Sequence, residues 1–324
     1  MVRLGYACLT YGMRDPKMRS AQLTRWKQGL VELGPIYAYN AAYAQRSLAY
    51  SARHGLTAFR ISSDVFPLID CDRRLHRLVP PLDPLREAVR MLNMHVSNHP
   101  GQFVLLSTPQ ESMLANALGV LRETGWTMER IGATGSITIH GGGVYGDRAA
   151  AGLRIRQHLK RVPKNARKLL VFENDEHAWT VPELLEATEG SVPIVFDKLH
   201  FQANARSASY ETELSGALAT WPEQRLPEFH YSEQSASGPR GAHAAYISGS
   251  GLLEFIEEIT EAAKGRELVV IVEAKRKDLA IARAFGELEG RARRRLLTLV
   301  PDLVRAPRDW VKRSAKLEPL FDAA

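Results

Sequence analysis

The feature that most limits how this chain can fold is an alternation. Eight short runs rich in β-branched and aromatic residues are separated by longer amphipathic stretches. The runs are RLGYAC (3–8), TAFRIS (57–62), MHVSNH (94–99), SITIHG (136–141), KLLVFEN (168–174), PIVFDK (193–198), EFHYSE (228–233) and ELVVIVEAK (267–275). Several are solidly apolar, as parallel strands covered on both faces must be. The stretches between them carry helix punctuation. DPLREAVRML predicts an Asp cap followed by a first-turn Pro; TVPELLEATEG has a Thr cap, early Glu residues and a closing Gly; SGLLEFIEEITEAAKG follows the same grammar. Eight strand–helix units predict an α/β fold of the (β/α)8 TIM-barrel type. An open doubly wound sheet would place GxGxxG spacing after its first strand, and GYACLTYGM lacks it. The segment 70–83 reads as a long loop after the second strand. Residues 1–290 read as the barrel domain and 291–324 as a basic C-terminal extension.

Composition narrows the class. Of 324 residues, 45% are hydrophobic, enough for a large core. No apolar run reaches 18 residues, and MVRLGYACLTYG lacks the apolar stretch of a secretory signal, so a cytoplasmic protein with no membrane association is expected. Cys8 and Cys71 give neither a disulfide framework nor a CxxC metal site and are expected to be buried thiols. The net charge of +7 favours a polyanionic partner, nucleic acid above all, with a plain basic enzyme as the alternative. Residues 291–324 hold nine Lys/Arg against four acids, so most of that excess sits in the tail. There GRARRRLLTLV reads either as a basic helix adding phosphate contacts or as a solvated helix closing the barrel floor.

In such a barrel the active site lies at the carboxyl ends of the strands. The third strand ends at His99, the fourth at His140, the fifth at Glu173, and the sixth at Asp197 with His200 three residues on. The seventh carries Glu228 and His230 on one face, the following loop carries His243, and the eighth ends at Glu273. Singly, a histidine at a strand end is usually a structural residue. Jointly, six successive strands deliver ligand types to one rim. Mixed imidazole and carboxylate donors suit Zn, Mn or Fe, and their number suits two or three ions sharing bridging carboxylates. His54, His76 and His158 read as surface residues, His95 opens the third strand at the wrong end, and His177 stands outside the set.

The motifs GYA, FRISSD, HPGQF, IHGGG, FENDE, FDKLH, FHYSEQ, HAAYI and EAKRKD resemble, in order and spacing, those of UV damage endonuclease, over about residues 1–280. The resemblance implies a DNA repair endonuclease that incises immediately 5′ to cyclobutane dimers and 6-4 photoproducts, leaving a 3′-hydroxyl and a 5′-phosphate. It implies Mn²⁺ chemistry with two or three divalent ions, Zn²⁺, Co²⁺ or Mg²⁺ being alternatives, and attack by metal-activated hydroxide. Its ligands would be His99, His140, Glu173, Asp197, His200, His230, His243 and Glu273, with Glu173 bridging and Glu173, Glu273 and His230 carrying catalysis. Gln102 and Phe103 would form a wedge at the lesion, where damaged bases flip out cheaply. Tyr6 would lie near the flipped nucleotides and Arg60 would shape the rim or meet a phosphate. The family commonly has lysine, which can be carboxylated, where this chain has Glu228, so Glu228 is expected as a metal neighbour or ligand. Damaged double-stranded DNA is the expected partner and a monomer the expected state. An abasic-site endonuclease or a sugar isomerase shares the fold and metal type and is the alternative.

Overall fold

The computed structural model describes residues 1–317. Eight parallel strands close on themselves in sequence order: β1 (Val2–Ala7), β2 (Ala58–Ile61), β3 (His95–Asn98), β4 (Ile137–His140), β5 (Leu170–Glu173), β6 (Ile194–Asp197), β7 (Glu228–Tyr231) and β8 (Leu268–Val272). β8 pairs back onto β1 along five residues, Val2 to Tyr6. The sequence-based TIM-barrel reading is thus the observed architecture.

Each strand is buried on both faces, and the faces differ. Outward residues such as Leu4, Tyr6, Phe59, Phe172, Phe196 and Phe229 join the large core between sheet and helices. Other inward residues are small or branched: Ala7, Ala58, Val269 and Ile271 form one cluster, and Val171 and Val195 pack with Trp221 in another. Trp221 donates its indole N–H to the Ile194 carbonyl at 2.8 Å. Burying each Phe or Leu of the outer core contributes about 1.5–3 kcal/mol.

Local grammar holds at two of the three helix starts read from the sequence. Thr180 and Glu183 form a reciprocal capping box on Val181–Thr188, and Ser248 caps Gly249–Ala262 through the Gly251 amide. Asp83 differs: it is the first helical residue of Asp83–Met91, while Leu82 holds the cap position with no side-chain bond. There Asp83 acts through the positive helix end and not as a cap. The segment 70–83 is not irregular throughout, since Ile69–Cys71 and Arg73–Leu78 form 3-10 turns.

Beyond residue 289, helix Gly290–Leu299, a 3-10 turn Pro301–Arg305 and helix Trp310–Leu317 return to the barrel wall. Leu296, Leu299, Val300, Leu303 and Trp310 are buried in the outer core. The Trp310 ring lies tilted against His54, with centroids 5.2 Å apart, and donates to the Tyr50 hydroxyl at 3.3 Å. Several basic side chains there are engaged, Arg295 with Glu257 at 2.7 Å and Arg305 with Asp302 at 3.1 Å. The thiols depart from expectation: Cys8 is half-buried and Cys71 exposed, because Cys71 lies in the surface 3-10 segment. Among the described residues no helix is long and apolar enough to cross a membrane.

Candidate metal centre

Parallel registration brings ligand types together across neighbouring strands. His140 on β4 is level with Glu173 on β5, and Asp197 on β6 is level with His230 on β7. Side chains at one level on one face meet inside the barrel. Glu173 stands at the centre, fully buried. Its Oε2 lies 3.0 Å from His99 Nε2 and 3.7 Å from His140 Nε2. Its Oε1 lies 2.8 Å from His230 Nδ1 and 3.4 Å from His200 Nδ1. Two trios could each hold a cation, His99–His140–Glu173 and Glu173–Asp197–His230, and Glu173 belongs to both.

The remaining expected ligands ring this centre. Glu273 follows β8; its Oε1 is 3.1 Å from His230 Nδ1 and its Oε2 3.7 Å from His243 Nδ1. His243 is carried by a loop that bridges back to Gln234 and is tied to the β8 exit through the Ala244 and Ala245 carbonyls. Asp197 caps the short helix Lys198–Ala203 with one oxygen, accepting the His200 amide at 2.7 Å. Its other oxygen, Oδ2, is buried without a partner, as is His140 Nδ1.

Those orphaned atoms test whether a cation fits. A buried carboxylate oxygen without a donor costs about 1–3 kcal/mol or more. Hard oxygen donors with imidazole nitrogen suit Mn, Zn or Fe divalent ions. The protonation pattern agrees. Burial opposes ionisation of Glu173, yet the imidazoles of His230 and His140 outweigh it and hold the carboxyl well below its ordinary range. Burial pushes Asp197 up, and the charges of Glu173 and Glu273 add to it. Burial likewise opposes charge on His230, but Glu173 and Glu273 raise it to about 10. Burial lowers His140 to about 4 against the pull of Glu173. Carboxylates this close need positive charge among them, and protons or cations can supply it.

The supporting shell explains the motifs. In FENDE, Asn174 reaches sideways along the sheet: its Oδ1 accepts the Asp197 amide at 2.8 Å and its Nδ2 donates to the Asp197 carbonyl at 3.1 Å. Asp175 accepts the His177 amide at 2.9 Å and closes a tight turn. In IHGGG, a Cβ on Gly141 would meet the Trp179 ring at 2.5 Å, and Gly142 has φ +84. Trp179 donates to the Gly142 carbonyl at 2.6 Å, so that loop is clamped over β4. Asp278, in EAKRKD, accepts the Tyr11 and Gly12 amides at 2.7 and 2.9 Å and ties down the loop after β1.

Several residues singled out in the sequence find partners or positions that the sequence did not show. Tyr6 faces the outer core, not the rim. It is fully buried, sharing hydrogen bonds with Thr10 Oγ1 and Ser51 Oγ at 2.8 and 2.9 Å and meeting Phe59 edge-on. Strand alternation turns Gly5 and Ala7 inward instead. Arg60 is buried and ion-paired with Glu273, so its guanidinium is committed inside the site rather than offered to a phosphate. Glu228 sits one step below the ligand layer, with its oxygens on His230 Nε2 and His95 Nε2, and belongs to neither trio. His95, set aside in the sequence, is therefore part of the interior network. His54, His76 and His158 are half-buried: His54 stacks on Tyr50, His76 pairs with Glu123 at 2.6 Å, and His158 lies 2.8 Å from the Leu106 carbonyl. His177 is exposed.

Two further rim features carried no sequence signal. Lys277 is half-buried at the β8 exit with φ +53, and Cys8 has φ +68; non-glycine residues in this region cluster at functional sites. Burial holds the Lys277 ammonium below its usual range. Gln102 and Phe103 follow the end of β3. Both are exposed on the loop after β3, Phe103 at 64%.

The model of the UV-endonuclease family UvdE matches residues 2–297. The chain belongs to this family. A UV DNA damage endonuclease of Bacillus cereus (strain G9842) is 30% identical over 263 residues, covering 78% of this chain and 82% of that protein. One of Bacillus velezensis is 30% identical over 261 residues, covering 77% and 80%. Among solved structures, the crystal structure of SacUVDE superposes with a TM-score of 0.77 at 23% identity, covering 93% of this chain and all of that one. Endonuclease IV from Thermus thermophilus gives 0.51 at 16% identity, covering 96% and 99%, a likeness of fold alone. Membership in UvdE makes the chain a DNA repair endonuclease, with DNA as its substrate.

Proposed function

We propose that the chain incises the phosphodiester immediately 5′ to UV photoproducts in duplex DNA, both cyclobutane dimers and 6-4 photoproducts, leaving a 3′-hydroxyl and a 5′-phosphate. The observation that carries this reading is the single buried carboxylate of Glu173 shared by two candidate cation trios on one rim. His99 and His140 would hold one ion with Glu173, and Asp197 and His230 a second; Glu273, with His200 and His243 beside it, offers ligands for a third. Mn²⁺ is the expected ion, with Zn²⁺, Co²⁺ and Mg²⁺ as substitutes. Bound ions would supply a water nucleophile at neutral pH and charge stabilisation for the leaving 3′-oxygen.

The protein's own contribution is placement. Asn174 fixes the Asp197 backbone, and the Asp197 cap fixes the His200 amide. Arg60 holds Glu273 against the barrel wall. Exposed Phe103 and Gln102 provide the wedge: an aromatic face can replace a lost base-stacking partner, and lesions unstack at low cost. Recognition of this kind reads deformability rather than base edges.

The test is cleavage of end-labelled duplexes with Mn²⁺, with and without chelator, carrying a 6-4 photoproduct, a cyclobutane dimer, an abasic site or no damage. Chelator-sensitive cutting just 5′ to both photoproducts is expected. Cutting at the abasic site alone would move the chain to the neighbouring abasic-site chemistry and overturn the reading.

A further inference from the structure

Beneath the ligand layer the barrel holds a second polar layer that the candidate cation trios do not use. Glu228 opens β7 two residues before His230, so both side chains enter the barrel. Glu228 Oε1 lies 3.4 Å from His230 Nε2, and its Oε2 lies 3.1 Å from His95 Nε2. Glu228 and His230 are fully buried and His95 is 7% exposed. His95 comes from β3, on the other side of the barrel, and a Cβ on Gly135 would stand 2.9 Å from its Nε2. That Cβ would also meet the Val96 carbonyl oxygen, so the glycine serves a close backbone approach as well as the room this imidazole occupies.

The two nitrogens of His230 face different tasks. Nδ1 looks into the ligand layer, 2.8 Å from Glu173 and 3.1 Å from Glu273. Nε2 looks down at Glu228. A carboxylate can only accept, so both nitrogens donate while each faces one; when a cation takes the Nδ1 lone pair, the ring keeps a single proton, and it is the one on Nε2 that faces Glu228. Glu228 alone would be a buried charge with one long hydrogen bond. His95 gives it a second donor and fixes its orientation.

We propose that His95 and Glu228 act as a positioning pair that holds His230 with its proton on Nε2 and its Nδ1 lone pair turned to a bound cation. Neither residue touches the cation or the DNA; both act through His230. The inference rests on the reading of the rim as a divalent-cation centre. It also assigns Glu228 a task that needs no place in the ligand layer. Outer partners of metal-binding histidines typically alter affinity about 10–100-fold.

The test uses the full chain, stripped by chelator and titrated with Mn²⁺ by calorimetry, with variants Glu228→Gln, His95→Leu and His95→Gln. A second readout is the imidazole ¹⁵N spectrum of the Zn²⁺-loaded protein, which reports which nitrogen of His230 carries the proton. Glu228→Gln and His95→Leu should weaken one ion by roughly 10–100-fold and leave the other near wild type. They should also shift or erase the Nε2–H resonance, and His95→Gln, which keeps a donor, should restore most of the affinity. Thermal unfolding of each variant identifies any that fails to fold; Glu228→Gln and His95→Gln are close enough in shape to carry the result. Wild-type affinity for both ions in Glu228→Gln and His95→Leu, with the His230 resonance unmoved, would overturn the pair while leaving the cation centre standing. A wild-type protein that binds no divalent ion would instead remove the centre, and the pair's role with it.

Discussion

Two arcs of the same rim behave differently. From β3 round to β8, every strand end or following loop presents an imidazole or a carboxylate. From β1 to β2, no residue among those described joins that cluster: Tyr6 turns outward, Ala7 is small, and Arg60 reaches across to Glu273. The buried acid nearest the β1 loop, Asp278, accepts backbone amides and takes no imidazole. One arc collects negative charge that wants a cation, and the other supplies fixed positive charge and anchorage. A site built this way keeps its ligands on rigid strand ends and uses the ligand-free side to brace them.

Substitutions can break or sharpen that contrast. The largest effect is expected at Glu173, the residue common to both trios. Glu173→Gln should lower Mn²⁺ binding and photoproduct cleavage on the order of 1,000-fold, the loss of several kcal/mol of charge stabilisation. Metal analysis together with single-turnover cleavage measures it; two ions retained at normal affinity would show that the carboxylate is not shared.

Arg60→Met tests the bracing arc. It leaves Glu273 without its guanidinium partner, and removing one member of a buried pair costs about 3–5 kcal/mol. Urea unfolding should show a loss near the lower figure, since both side chains keep some exposure. A loss below about 1 kcal/mol, the level of a surface pair, would mean that the pair is solvated.

Asp278 gives a pH signature. Burial raises its carboxyl to about 6, against the pull of the Tyr11 and Gly12 amides. The folded state therefore binds this proton more tightly than the unfolded one. Its stabilising effect is complete below the unfolded value near 4 and is lost as pH rises through about 6. Asp278→Asn should abolish roughly 2 kcal/mol of this fall between pH 4 and 7. Unfolding curves of the two proteins at four pH values check it; parallel profiles would count against it.

Smaller effects separate the wedge from the core. Phe103→Ala should leave stability within about 0.5 kcal/mol, being a surface change, but weaken binding to a photoproduct duplex by about 1–3 kcal/mol. Tyr6→Phe should do the reverse, costing about 1 kcal/mol of stability through lost hydrogen bonds and leaving duplex affinity unchanged. Fluorescence anisotropy on both variants would expose an error in either assignment.

Much of this was legible beforehand. The strand ends that carry His99, His140, Glu173, Asp197 and Glu273 were readable because a parallel barrel places all carboxyl ends on one rim. Phe103 was readable because Pro100 and Gly101 end the strand and force a loop. Tyr6 was misplaced because strand period states that alternate residues face opposite sides but not which set faces in. The partners of Arg60 and Glu228 across the barrel were not readable, because Glu273 and His95 lie 213 and 133 residues away in sequence.

The sequence by itself determined the architecture and the donor inventory. Periodicity, caps and apolar runs are local properties, and each of the eight units carries its own. What only the tertiary structure decided is pairing across the barrel: Glu173 between two trios, Arg60 on Glu273, and Glu228 between His230 and His95. Closure of the barrel creates these contacts, since residues on non-adjacent strands meet only when the last strand pairs with the first. No local pattern encodes a neighbour that the chain acquires by closing on itself.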